Sequence, residues 1–464
     1  MTVSVISLVT VLVFVMLGYQ FNEEQGRIVQ GGLVQFDSTP SGANVTIDGA
    51  AFKSYTPSKT TMASGQHNIT MDRDGYMTWQ KTVDVMPGSV LWLNYARLIP
   101  RDLVSTSVAD FSKVSSTAVS KDSKIMAIKE ISSDGNIQLA DLTGDTVKMT
   151  NIEVPSNLYT KPASGKSHSF ALVNWDYKSQ YILVNHTFND GEHEWIVVDS
   201  KDVGASQNIT KLLDINASKV VFSGNDNKML YALNGSDVRR IDLNKATISR
   251  PLVANVAEFS IYGDSTIVFT STTNSETKKR SVGFYKEGSD KAQIVRSYAG
   301  AAASPFRLAI GKYYGDTYFA IAQGEKIEIL KGDINNPSAA QIVDTETITG
   351  GADHLSIVID GRFVIAQNGA TYVTYDLESS KTTTTLLKGK TAVTKELRWI
   401  DNYSVVSDRD GIARLYEYDG TNQHDIMPVV SGLDVTLSPN STYLYGISKS
   451  ADGKYHLSRV KLVL

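Results

Sequence analysis

An all-β chain is predicted by three features of the sequence. Thr, Ser, Val, Ile and 22 Tyr are plentiful among its 464 residues, and long amphipathic helical patterns are absent. Between residues 32 and 100, short stretches alternate apolar and polar side chains between Gly, Pro and Asp turns. From residue 101 onward one strand pattern recurs about every 43 to 45 residues, after a longer first interval. These features divide the chain into an apolar segment over 1–22, a linker over 23–31, a small β-sandwich over 32–100 and a repeat region over 101–464.

The first element is a membrane segment. Residues 1–22 carry no charged side chain, and 3–17 are almost wholly Val, Leu, Ile, Phe and Met. As a helix rising about 1.5 Å per residue, 3–19 spans roughly 26 Å, slightly short of a hydrocarbon core of about 30 Å. Gly18-Tyr19-Gln20-Phe21-Asn22 offers no small-x-small cleavage pattern, so an uncleaved single transmembrane helix is expected instead of a removed signal peptide. Arg27 stands near it beside Glu23 and Glu24, and so weak a charge bias says little about orientation. A single N-terminal anchor tethers everything after it, and the bulk is expected outside the cytoplasm.

In the second element, strands are expected over 33–38, 43–47, 67–71, 76–85 and 90–98 of a sandwich of about six. Pro40-Ser41-Gly42-Ala43 and Asp74-Gly75 supply turns, and Asp48-Gly49 is a hairpin turn. The order Pro40-Ser41-Gly42-Ala43, Ile47-Asp48-Gly49, Thr56-Pro57, Gly65-Gln66-His67 and Gly75-Tyr76 resembles the PEGA domain, an extracytoplasmic β-sandwich named for a Pro-Glu-Gly-Ala turn. Ser41 stands where that turn has Glu. The resemblance implies an envelope or surface location in a bacterial or archaeal cell, and no catalysis.

The repeat is clearest in a strand that precedes an Asp-Leu or Asp-Gly turn in several copies. It is seen in Glu194-Trp195-Ile196-Val197-Val198-Asp199 and in Ala370-Thr371-Tyr372-Val373-Thr374-Tyr375-Asp376-Leu377. The same strand is read at 135–142, 237–243, 281–286, 325–330, 411–420 and 454–462. An apolar strand is expected before each, over 125–128, 181–184, 219–222, 266–269, 318–322, 362–366, 404–407 and 443–448. A unit of this kind cannot bury both faces of its sheet alone, so copies are expected to stack about an axis as the blades of a β-propeller. Eight copies give eight blades, with seven the alternative if a terminal repeat is split to close the ring. Turns such as Ser120-Lys121-Asp122-Ser123, Trp399-Ile400-Asp401-Asn402 and Ser438-Pro439-Asn440-Ser441 precede the inner strands. Together the repeats resemble divergent WD40-like or quinoprotein-like propellers, without the Gly-His and Trp-Asp dipeptides of true WD40 repeats.

Little in the sequence points to chemistry. The net charge of −4, with both signs dispersed, gives no nucleic-acid footprint. With no cysteine there is no disulfide, thiolate metal site or cysteine nucleophile. Gly-x-Ser-x-Gly, phosphate-loop and His-Glu-x-x-His motifs are missing. His186 and His193, with Glu192 or Glu194 beside them, could share a metal across a hairpin, but are read as a solvated tip. Asp408-Arg409-Asp410-Gly411 lacks the later ligands of a calcium loop and reads as an inter-strand turn, as does Asn225-Asp226-Asn227. Trp79 alternates as a core residue would; Trp92, Trp175, Trp195 and Trp399 are the other indoles. No catalytic, cofactor-binding or metal residue is assigned, no cofactor is expected, and the binding residues are left open.

The function expected from the sequence is binding by a membrane-tethered envelope protein. Its propeller would dock a partner protein or polysaccharide, and nucleic acid is not expected. The alternatives are a propeller enzyme (hydrolase, lyase or quinone-dependent dehydrogenase) with its site in the central channel, and a self-associating structural protein. A ring of acidic or histidine side chains in the channel would favour the enzyme, and a plug of Tyr and Leu the platform.

Overall fold

The computed structural model describes Val9, Val13, Tyr19–Asn22 and the chain from Arg27 onward, except residues 133, 300–305, 359 and 394. Most of the expected membrane helix over 1–22 therefore lies outside the described residues. Among the described residues no helix is long and apolar enough to cross a membrane. Tyr19–Asn22, read as the end of that helix, pairs as an antiparallel strand with Arg27–Gln30, part of the expected linker. The chain separates into two units, one holding Met1–Val104, Ser441–Tyr443 and Val460–Leu464, the other Ser105–Asn440 and Leu444–Arg459.

In the first unit Gly32–Thr39 lies between Ser58–Met62, antiparallel, and Val90–Arg97, parallel. A second sheet runs Ala50–Tyr55, Asn44–Ile47, Gly65–Asp72, Trp79–Val85. Strict alternation along Gly32–Thr39 and Trp79–Val85 sends Val34, Phe36, Trp79, Val83 and Val85 into one core with Val45, Ile69, Met71 and Leu93. Each such side chain contributes roughly 1.5–3 kcal/mol by leaving water. Asp48 and Gly49 both take positive φ, 50° and 81°, the geometry of the tight hairpin turn that Asp-Gly favours. The sandwich has seven strands, not six. Ala50–Tyr55 is exposed along nearly its whole length and Ser58–Met62 is mostly polar, so these two edge strands lack an apolar rhythm.

Among the described residues the second unit is built on eight four-stranded sheets. Sheet 1 starts at Val114–Val119, sheet 2 at His168–Trp175, sheet 3 at Ala217–Phe222 and sheet 4 at Val256–Tyr262. Sheet 5 starts at Phe306–Tyr313, sheet 6 at His354–Ile357, sheet 7 at Arg398–Trp399 and sheet 8 at Val435–Leu437. Sheets 1 to 7 each consist of four consecutive antiparallel strands in chain order. Sheet 8 has three, and Ser105–Phe111 joins it beside Tyr455–Lys461.

All eight recurring segments of the sequence coincide with third strands: Asn136–Asp141, Glu192–Asp199, Asp237–Asp242, Lys279–Tyr285, Lys326–Gly332, Thr371–Asp376, Ile412–Glu417 and Tyr455–Lys461. Seven of the apolar partners are second strands, but 219–222 belongs to the first strand of sheet 3. The second strand there is Met229–Asn234, four consecutive residues of which are fully buried. Both sheet faces are used. Sheet 2 packs Phe170, Leu172 and Ile182 on Ala127 and Ile137 of sheet 1, and Leu183, Trp195 and Val197 on Val220 and Leu230 of sheet 3. Similar clusters join the later sheets through sheet 7. The Asp434 N–H beside sheet 8 donates to Thr117 of sheet 1 at 2.7 Å, so the succession returns to its start.

Candidate functional site in the central cavity

The turns after the first strands repeat one device. Ser120 donates to Asp122 at 2.8 Å, Ser438 to Asn440 at 2.7 Å, and Asp401 accepts the Tyr403 and Ser404 N–H groups at 2.8 and 2.6 Å. The acceptor satisfies the turn's own polar atoms and starts the second strand.

The first strands and the residues just before some of them, with parts of the second strands of sheets 4 and 7, line two adjoining cavities. One, of about 320 Å³, lies among Ala118 and Val119 of sheet 1, Asn174 of sheet 2, Glu396, Arg398 and Asp408 of sheet 7, and Asp434 at sheet 8. The other, of about 260 Å³, lies among Lys219, Glu258, Thr270, Arg307, Asp353 and His354, from sheets 3 to 6. Glu396 borders both, so every sheet contributes to this central space.

It holds charges of both signs. Arg307 pairs with Glu258 at 2.9 Å and Arg398 with Asp434 at 2.8 Å. Lys219 Nζ donates to the Phe259 carbonyl at 2.8 Å. His354 Nδ1 stands 3.9 Å from Glu396. The strands that crowd the cavity partly desolvate the Glu396 carboxyl, although its side chain still meets solvent there, and push it above the usual carboxylate range, with His354 acting in the opposite direction. Two buried polar atoms, Thr270 Oγ1 and Asn174 Oδ1, have no hydrogen-bond partner among the described residues. The space is neither a plug of Tyr and Leu nor a ring of carboxylates alone. It is a polar cavity with charges of both signs and more carboxylates than Lys and Arg side chains.

His186 and His193 do not meet. The hairpin pairs His186 with Glu194 and Thr187 with His193, which places the two imidazoles on opposite faces. His193 Nε2 bonds the Ala217 carbonyl at 3.1 Å. His186 instead joins a buried chain: its Nδ1 lies 2.9 Å from Glu194, its Nε2 2.8 Å from His168 Nδ1. Glu194 also accepts from the Thr160 N–H at 2.6 Å and the Thr160 hydroxyl at 2.9 Å. Burial alone would raise this carboxyl, but the bonds from His186, Thr160 and Asn208 outweigh it and hold the group at about 2. Glu194 is thus an anion that accepts the His186 Nδ1 proton, and His186 Nε2 then accepts from His168. Tyr159, Phe170 and Phe188 surround the imidazoles.

The acidic loops are turns. Asp410 accepts the Lys390 and Thr391 N–H groups, Asp408 accepts from Gly432, and Asp226 accepts from Lys228. No group of three His, Cys, Asp or Glu able to hold a metal occurs among the described residues. Trp79, Trp175 and Trp195 are buried, and Trp92 is 41% exposed.

Asp110, His456 and Ser450 form a constellation that sequence reading missed. Asp110 Oδ1 lies 2.7 Å from His456 Nδ1, and Ser450 Oγ 2.9 Å from His456 Nε2. The order matches a nucleophile-activating triad. Yet Asp110 is largely exposed, and the Ser450 hydroxyl also donates to Asp452, as Ser120 does to Asp122. The trio ties Ser105–Phe111 to the hairpin before Tyr455–Lys461. A fluorophosphonate probe is expected to leave Ser450 unlabelled; stoichiometric labelling read by peptide mass spectrometry would make it a nucleophile.

No curated protein matches the chain. Among solved structures, a chain of "Oligogalacturonate lyase in complex with manganese" is 13% identical with a TM-score of 0.39, the match covering 78% of this chain and 98% of that one. A chain of "Crystal Structure of Mitotic Checkpoint Complex" is 10% identical with a TM-score of 0.35, covering 78% and 92%. Residues 32–98, the sandwich built around Phe36 and Trp79, match the family model of the PEGA domain.

Proposed function

We propose that the eight sheets form a β-propeller, held outside the cytoplasm by the N-terminal apolar segment, and that the chain is a binding platform of the cell envelope. The propeller reading is supported by the four-strand repeat, by Ser105–Phe111 completing sheet 8 and by the bond from Asp434 to Thr117. The envelope location is supported by the PEGA match and the uncharged apolar run over 1–22.

The observation that carries binding is the central cavity. Residues from all eight sheets line it, and two of them, Thr270 and Asn174, carry a buried oxygen with no partner among the described residues. The occupant is an envelope protein or polysaccharide. The enzymatic alternative has Glu396 as its supporting group, an acid of raised pKa beside His354.

The test is recovery of partners from crosslinked envelopes with the tagged full chain in detergent. A specific protein or glycan that survives moderate salt is expected. Recovery of further copies of the chain alone would establish self-association instead, and recovery of nothing above background would remove the platform reading.

A further inference from the structure

We propose that the cavity between sheets 3 and 6 receives an organic cation, an alkylammonium or guanidinium group, on the carboxylates of Asp353 and Glu396. This rests on the reading of the cavity as a ligand site and specifies the chemistry of its occupant.

The charges there are unequally committed. Lys219 is spent on the Phe259 carbonyl. Arg307 is spent on Glu258 and, through Nε at 3.0 Å, on the Asp353 carbonyl. Both cations of this cavity therefore have protein acceptors. The Asp353 carboxylate has no hydrogen-bond or ion-pair partner among the described residues, although it borders the cavity. Glu396 has only His354 within 4 Å as a charged neighbour among them, and its side chain is 52% exposed. An incoming anion would meet two free carboxylates and no free cation of this cavity; an incoming cation would find both acceptors open.

Thr270 makes an independent case for a ligand. It is 4% exposed, it lines the same cavity, and its buried hydroxyl oxygen has no partner among the described residues. A rotation about its Cα–Cβ bond would turn that oxygen to the cavity, where it can accept an N–H that the two carboxylates leave unused. Phe259, Phe269, Leu308 and Leu355 supply apolar wall for a methylene stem and aromatic faces for its charged end. A volume of about 260 Å³ lies just below the roughly 300–1,000 Å³ of drug-sized sites, which suits one basic side chain or a small free amine. A metal ion would need a tighter donor set than the described residues provide.

Isothermal titration of the full chain in non-ionic detergent with triarginine amide, ethylguanidinium and triglutamate decides the matter. Triarginine amide is expected to bind, and Asp353→Asn and Glu396→Gln are each expected to weaken it at least tenfold. Both carboxylates meet solvent only across the cavity that crowds them, so unchanged thermal midpoints and near-ultraviolet dichroism are expected to show that the variants remain folded. Ethylguanidinium binding as tightly as the peptide would identify a small free cation as the ligand; peptide binding alone would identify a basic protein segment. Equal affinity in the wild type and both variants, no binding of either cation, or tighter binding of triglutamate would each overturn the inference. A partner captured from envelopes whose retention ignores both substitutions would overturn it too, while leaving the platform reading standing.

Discussion

Replacing Glu194 with Ala is expected to destabilise the second unit by about 3–5 kcal/mol, because it strands His186 and the Thr160 N–H in the interior without their acceptor. The wild-type interaction is pH-dependent, and its sign follows from the carboxyl. Its native pKa of about 2 lies below the ordinary 4.5, so the unfolded chain binds the proton more readily. The stabilisation is therefore complete above pH 4.5 and is lost as pH falls through 4.5 towards 2. A gap of that size is worth about 3 kcal/mol. Urea midpoints of the wild type and Glu194→Gln, followed by tryptophan fluorescence, should differ most at pH 7 and converge near pH 2. A difference that stays constant across this range would show that the charge of Glu194 does not stabilise the fold.

The second large effect belongs to Trp175. Its indole is 2% exposed and packs sheet 2 on sheet 1, while Nε1 donates to the Ala118 carbonyl at 2.9 Å. Trp175→Ala is expected to cost about 3–5 kcal/mol through the cavity it leaves. Trp175→Phe should cost about 1–2 kcal/mol, through the lost indole hydrogen bond and the smaller ring. Trp92→Ala, at an exposed position, should fall within about 0.5 kcal/mol of the wild type. Denaturant midpoints of the three variants give the ranking. Equal losses for Trp175→Ala and Trp92→Ala would mean that the indole between the sheets contributes nothing beyond a surface one.

The third strands were legible because a strand with a buried middle recurs before a turn that several copies mark with Asp, as Trp195 to Asp199 and Tyr372 to Asp376 do. First strands were less legible. Ala217–Phe222 alternates between the core and the more open side, and its apolar end was mistaken for the second strand. The cavity could not be found by motif, since its residues come from eight sheets spread over more than 300 positions and become neighbours only when those sheets assemble. His168 and His186 likewise meet only through a hairpin register. One part of that register was readable. A three-residue loop over Asn189, Asp190 and Gly191 sets Phe188 opposite Glu192, and counting back from it puts His186 opposite Glu194 and never beside His193.

The completion of sheet 8 by Ser105–Phe111 bears on how the chain is made. Ser107 and His456 belong to neighbouring strands of one sheet but stand 349 residues apart in sequence. During synthesis the earlier strand must wait, with a bare edge, until nearly all of the second unit has emerged, and contacts so distant along the chain form slowly. A product cut short before Tyr455 would keep that edge permanently open to proteases and to other strands, so this one pairing acts as a check that the second unit has been finished.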